Sequence, residues 1–199
     1  MRLQTAIDNR HSIREFEKRK VPKSVLKKLV NNAAKAPSAS NAQPWRFYVI
    51  SSSKKRDQIA AWTNETFKKI IKDKSPKKSN MKTKEIQRIA EKFYDNLGDA
   101  PNIILVYRKK ERNEESYIRP NDISSVSAAV QNLILSAVEE KLGTCWVGTL
   151  KGSEKNLAKL LDIPSSHEII ASIIIGYPKK GSKVLLRKKK KLNEVLKFI

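Results

Sequence analysis

The sequence predicts an α/β chain in which helices cover one sheet, and three observations predict it. Three short apolar runs, Phe47–Ile50, Asn102–Tyr107 and Ile169–Ile175, have the length and continuity of strands. Between them lie longer stretches whose apolar residues recur at helical spacing. With 199 residues, 39% of them hydrophobic, the chain can bury one substantial core, so 1–199 reads as a single domain without internal repeat or linker.

The elements follow in order. Leu3, Ala6 and Ile7 suggest one or two helical turns. Pro22 opens a helix with an apolar face of Val25, Leu26, Leu29, Val30 and Ala33, and Pro37 bars its continuation. Pro37 to Pro44 is a polar loop of residues that bond to backbone, and it leads into the first strand. Helical spacing resumes at Ile59, Ala60, Phe67, Ile70 and Ile71 and again at Ile86, Ile89, Ala90 and Phe93. The Lys-rich piece 72–84 between them reads as a flexible insertion. After the second strand, Arg108 to Glu115 is expected to be an exposed loop. A long helix is expected from Asp122, capped by its side chain, to Leu142, where Gly143 ends it. Ser153 can cap a last short helix through Leu157, Leu160 and Leu161, before the third strand closes at Gly176-Tyr177-Pro178.

Composition narrows the function. Forty-two Lys and Arg against 20 Asp and Glu leave a formal charge of +22, a field that attracts polyanions. The clusters at Lys68–Lys84, Arg108–Arg112 and Arg187–Lys191 would serve a nucleic-acid-binding module, yet neither zinc-finger spacing nor an RNA-binding aromatic motif accompanies them. The single Cys145 excludes an intrachain disulfide, and its expected role is buried packing. Two His and one Cys, widely separated, offer no clustered metal ligands. No run approaches the roughly 18 apolar residues of a membrane helix, and Met1–Asp8 does not read as a signal peptide, so a cytoplasmic location is expected.

Four segments carry more specific chemistry. Arg10-His11-Ser12-Ile13-Arg14 offers guanidinium and hydroxyl donors within a short reach, suited to an anion; alone, it could equally cap backbone or face solvent. Pro37-Ser38-Ala39-Ser40-Asn41-Ala42-Gln43-Pro44-Trp45 precedes a strand, and Cys145-Trp146-Val147-Gly148 follows a long helix. Arg187 to Lys191 is a late basic run. In this order, and with Gly176-Tyr177-Pro178, they resemble the nitroreductase family of FMN-dependent oxidoreductases over almost the whole chain.

The resemblance implies a mainly antiparallel sheet covered by helices, and a homodimer with FMN at each interface and a C-terminal segment exchanged between subunits. It places the basic segment and a terminal strand in 187–199. It implies Arg10 and Ser12 on the FMN phosphate, Arg14 on the phosphate or ribityl network, and Arg187 and Lys189 as further phosphate partners. Pro37, Ser38 and Asn41 would lie beside the flavin; Gln43 could join them or stabilise its own loop. Val147 and Gly148 would offer backbone donors to the isoalloxazine, although some relatives carry an acidic residue where Val147 stands. NADH or NADPH would donate hydride at flavin N5 and a nitroaromatic, quinone or similar small acceptor would take the electrons, with no side chain as obligate acid or base. The alternatives are a nucleic-acid-binding module and a flavin-binding family member with little turnover.

Overall fold

A computed structural model describes residues 2–73, 81–110, 115–182, 184–185 and 188–199. The helices are α1 (Leu3–Asn9), α2 (Lys23–Ala33), α3 (Ser53–Asp73), α4 (Met81–Asn96), α5 (Ile118–Glu139) and α6 (Glu154–Leu161). The strands are β1 (Trp45–Ile50), β2 (Asn102–Lys109), β3 (Gly143–Val147) and β4 (His167–Gly176). They form one sheet in the order β1-β2-β4-β3, and every pairing is antiparallel.

The sheet separates two cores. On one face Leu26, Leu29 and Ala33 of α2 join Val126, Ala129, Val130, Leu133 and Ala137 of α5 over Ile104, Val106, Ile173 and Ile175. On the other, Ile59 of α3, Phe93 of α4 and Leu157 of α6 cover Ile103, Leu105, Cys145, Val147 and Ile174. Because both faces are covered, the central strands β2 and β4 lose the apolar–polar alternation of a half-exposed sheet. Their unbroken apolarity therefore reports burial and says nothing of strand direction. A bulge interrupts the β2–β4 ladder: Val106 faces Ala171 and Tyr107 faces Ile169, leaving Ile170 as the extra residue.

Several expectations need correction. The expected loop from Arg108 to Glu115 loses its first two residues, because Arg108 and Lys109 complete β2 and Arg108 is only 1% exposed, while 111–114 lie outside the described residues. Helix α5 begins at Ile118, so Asp122 lies inside it and does not cap it. Its carboxylate pairs with Arg108 instead, at 3.1 Å. Ser153 occupies the N-cap of α6 without a side-chain capping bond. Cys145-Trp146-Val147 belongs to a strand that the sequence reading did not identify. Among the described late residues, Leu192–Glu194 form a 3-10 turn and the remainder carries no strand, so the expected terminal strand is not formed. Of the expected insertion 72–84, the part 74–80 lies outside the described residues; Lys72 ends in α3 and Met81 opens α4.

Candidate functional site

Arg10 is the C-cap of α1, and the chain beyond it runs along the outer edge of β3. Ile13 N donates to Thr144 O at 2.9 Å, Phe16 N to Gly98 O at 2.8 Å, and Glu17 N to Tyr177 O at 2.9 Å. Two glycines make this approach possible. A Cβ on Gly143 would lie 2.6 Å from Ile13 Cγ1, and one on Gly98, whose φ is +66°, would lie 2.2 Å from Arg14 O. Any side chain at either position would push the segment off the sheet.

Along this segment Arg10, Ser12 and Arg14 are half-buried, and Arg14 Nη1 donates to Ser12 O at 3.2 Å. Glu15 pairs with Lys92 of α4. The hydrogen bond from Lys92 holds the Glu15 carboxyl below the usual range against the opposing effect of burial, with the charges of Lys92 and Lys179 assisting. Cys145, buried in β3 as expected, has its thiol pushed up by burial, which the nearby Arg14 charge only partly offsets. A thiol so placed is a packing group, not a nucleophile.

Strand β3 ends at Val147, which is buried, and Gly148 follows it, exposed. A Cβ on Gly148 would meet nothing within 4 Å. Among the described residues, then, no crowding requires glycine there. Trp146, one residue before Val147 in β3, is 43% exposed.

The loop Pro37–Pro44 has a different construction. Ser40, Asn41 and Gln43 are held at φ of 49°, 55° and 45°, the left-handed region that costs an L-residue about 1–2 kcal/mol. Side chains hold that shape: Gln43 N donates to Ser38 Oγ at 3.1 Å, and Gln43 Nε2 donates to Asn41 Oδ1 at 3.2 Å. Within the single chain Gln43 thus braces its own loop. Ala39 N donates to Ser125 Oγ of α5 at 3.3 Å. Pro37 and Asn41 are exposed and Ser38 is half-buried.

The sheet places the two motifs at opposite corners. The loop feeds β1, where Trp45 pairs with Arg108 and Arg108 with Glu168; Ser12 lies on β3, where Thr144 pairs with Ile175. Three strand spacings from β1 to β3 and one more to Ser12, about 19 Å in all, and the run from Glu168 to Ile175, about 23 Å, separate them. One chain brings Arg10, Ser12 and Arg14 to the strand that ends at Val147 and Gly148, and leaves Pro37, Ser38 and Asn41 elsewhere. Lys189 is exposed in a segment without regular structure, and Arg187 lies outside the described residues.

The sequence model of the Nitroreductase family matches residues 7–177, which contain both motifs and the end of β3. The chain belongs to the nitroreductase family. YfhC of Bacillus subtilis (strain 168), a provisionally named NAD(P)H nitroreductase, is 28% identical over 185 residues, covering 93% of this chain and 89% of YfhC. The crystal structure of a BluB-like flavoprotein from Clostridium difficile 630 superposes with a TM-score of 0.79 at 25% identity, covering 100% of this chain and 99% of that one. An iodotyrosine deiodinase bound to FMN and 3-iodo-L-tyrosine superposes with a TM-score of 0.74 at 24% identity, covering 96% and 97%.

Within this nitroreductase-family fold, three supports of the site were missed in the sequence. Gly98 sits far from Arg14 in sequence; its signal is its place just beyond α4, where Asn96 Oδ1 accepts from Gly98 N at 3.0 Å. Ser125 is one serine among several on α5, and nothing in its neighbours marks it. Arg108 was hidden by its charged neighbours, which suggested a loop. Its guanidinium joins Asp122 and Glu168, and Arg119 joins Glu168 at 2.6 Å. Among the described residues there is no group of three His, Cys, Asp or Glu that could hold a metal. No helix among them is long and apolar enough to cross a membrane.

Proposed function

We propose that the protein is an FMN-dependent oxidoreductase that takes hydride from NADH or NADPH and reduces a nitroaromatic, quinone or similar small acceptor. The observation that carries this reading is the β3 edge itself. A segment whose Arg10, Ser12 and Arg14 offer donors suited to an anion is pinned along a strand that is followed, at Gly148, by open space. That pairing of donors for a phosphate with bare backbone for a ring fits FMN. FMN-bound and NAD(P)H-named relatives of the family support the same reading.

Each residue then has a physical task. Arg10 and Ser12 bind the phosphate through charge-assisted and hydroxyl hydrogen bonds, and Arg14, fixed by Ser12 O, serves the phosphate or ribityl network. Arg187 and Lys189 add cations to the phosphate site. Val147 and Gly148 present backbone N–H groups to the ring. When bound, FMN supplies the hydride and electron chemistry, and no side chain of the protein needs to act as acid or base.

The opposite-corner placement favours a homodimer in which Pro37, Ser38 and Asn41 of one copy complete the site of the other. Two further features support it. Leu3 and Ile7 on α1, Trp146, and Leu192, Val195, Leu196 and Phe198 in the late segment are exposed apolar side chains in a single chain. Between α2 and the free edge of β1 runs a groove of about 580 Å³ lined by Leu26, Val30, Phe47 and Val49. We propose this groove as the seat of the second copy's late segment. A cytoplasmic location belongs to the same reading. The cationic surface, including Lys18, Arg19, Lys20, Lys23 and Lys27, supports a weak, salt-dependent association with nucleic-acid phosphates alongside the enzymatic role.

The test is flavin binding and turnover. The purified protein is expected to bind FMN, to lose the oxidised-flavin absorption when NADH or NADPH is added without oxygen, and to regain it with an acceptor. Screening nitroaromatics, quinones and 3-iodotyrosine as acceptors, with reduction and reoxidation followed separately, decides the substrate class. Arg10→Ala should weaken FMN binding about 10- to 100-fold, the worth of a charge-assisted bond, while Lys54→Ala on α3 leaves it unchanged. A folded protein that binds no FMN sinks the reading, and salt-sensitive nucleic-acid binding without flavin would replace it.

A further inference from the structure

The strained loop Pro37–Pro44 is braced internally, but its internal bonds do not fix where it sits. Ser38 Oγ and the Asn41–Gln43 pair set its shape, and Arg46 of β1 reaches Gln43 O at 3.5 Å. Its tie to the helical layer is the bond from Ala39 N to Ser125 Oγ. Ser125 is 6% exposed, and its own hydroxyl proton goes to Asn121 O at 2.7 Å, which turns an oxygen lone pair toward Ala39. The helix beneath is fixed at the same level. One turn earlier, Asp122 pairs with Arg108, which is itself bonded to Glu168 of β4 at 2.9 Å.

A chain of contacts thus runs from two sheet strands through Arg108, Asp122 and α5 to Ser125 and the loop. We infer that Ser125 is a positioning residue: its hydroxyl seats the Pro37–Asn41 loop at the depth and angle at which that loop meets the flavin of the second copy. The inference rests on the FMN reading above. Packing alone does not explain a serine here, because alanine would fill nearly the same space and suits a helix better. The hydroxyl adds a tie to Ala39 that alanine cannot make. Ala39 is an exposed residue and its bond to Ser125 is one hydrogen bond, so the fold keeps most of its stability when the tie is lost, while the loop loses its seat.

Three measurements on Ser125→Ala, Ser125→Thr and the unaltered chain test this. The first is hydrogen exchange of the peptide spanning 37–43 in the absence of flavin, the second is FMN affinity by flavin fluorescence, and the third is the melting temperature of the flavin-free chain. Ser125→Ala is expected to exchange faster across 37–43, to bind FMN about three- to tenfold more weakly, the range of one net hydrogen bond, and to melt with the unaltered chain. Ser125→Thr, which keeps the hydroxyl, is expected to restore exchange and affinity. Unchanged exchange in Ser125→Ala overturns the inference, as does an affinity loss that follows a matching fall in melting temperature. If the unaltered chain binds no FMN, the flavin reading fails, and the exchange measurement still decides whether Ser125 seats the loop.

Discussion

The segment Arg10–Arg14 and the loop Pro37–Gln43 both lie beside a helix end, yet they are held in different ways. Backbone holds the first: ladder bonds to Thr144 and Gly98, made possible by glycines that let main chains touch. In the second, side chains are added to a short 3-10 turn at Ala39–Asn41: hydroxyls and amides join its backbone bonds and stabilise three residues in left-handed conformation. A backbone-held segment depends on what its neighbours lack, whereas a side-chain-held loop depends on what its neighbours carry. Substitutions should therefore fail differently at the two places.

The largest effect is expected beneath the loop. Arg108 is 1% exposed and Asp122 lies beside it in the same buried network. Asp122→Ala leaves a guanidinium short of a counter-charge in the core, and the expected loss is about 3–5 kcal/mol of folding stability. Denaturant unfolding measures it. A loss below about 1 kcal/mol would mean that Glu168 alone balances Arg108, and that the α5 end of the seat needs no carboxylate.

The next largest belongs to the β3 edge. Gly98→Ala adds a Cβ against Arg14 O and strains a φ of +66° at once, so about 3 kcal/mol of destabilisation is expected. Unlike Asp122→Ala, it also moves Arg14 directly, and FMN binding should weaken beyond what residual unfolding explains. Denaturant unfolding and flavin titration of the same sample separate the two. Gly148→Ala sharpens the contrast, since its Cβ meets nothing among the described residues. It should leave stability nearly unchanged, and any fall in FMN affinity would report the ligand alone.

How much of this was legible beforehand follows from the same distinction. Residues that carry chemistry, such as Arg10, Ser12, Arg14 and the loop from Pro37 to Gln43, form short runs that can be read in order. The runs that bury a face, Leu26–Ala33 or Ile169–Ile175, declare themselves by apolar spacing. Supports that act across the chain do not. Gly98 and Gly143 matter because of Arg14 and Ile13, a pairing that only the fold creates. Arg108 read as loop because charge normally marks the surface, and its burial depends on two carboxylates brought from α5 and β4. Strand β3 was missed for a related reason. It is short, it carries Gly and Thr, and its one bulky outward residue, Trp146, is exposed.

The smallest effect concerns the outer part of the buried network and tests it by titration. Burial alone would raise the Glu168 carboxyl, but hydrogen bonds from Arg119 and Arg108, with their charges, outweigh it and hold the group below its ordinary value. With the folded value depressed, the unfolded chain takes up the proton first as pH falls. Glu168 therefore contributes stability that is fully present above the unfolded value, about 4.3, and is lost as pH falls through the folded one. Unfolding curves between pH 6 and pH 3 should show this loss, and Glu168→Gln, which cannot titrate, should remove Glu168's share of it. The β3 edge offers the internal control, because Glu15 is also held low, by Lys92, but lies at the other motif. Glu15→Gln should remove its own share and leave that of Glu168 in place. If either substitution abolished both shares, the two regions would be one electrostatic unit, and the contrast between a backbone-held and a side-chain-held motif would fail at the level of charge.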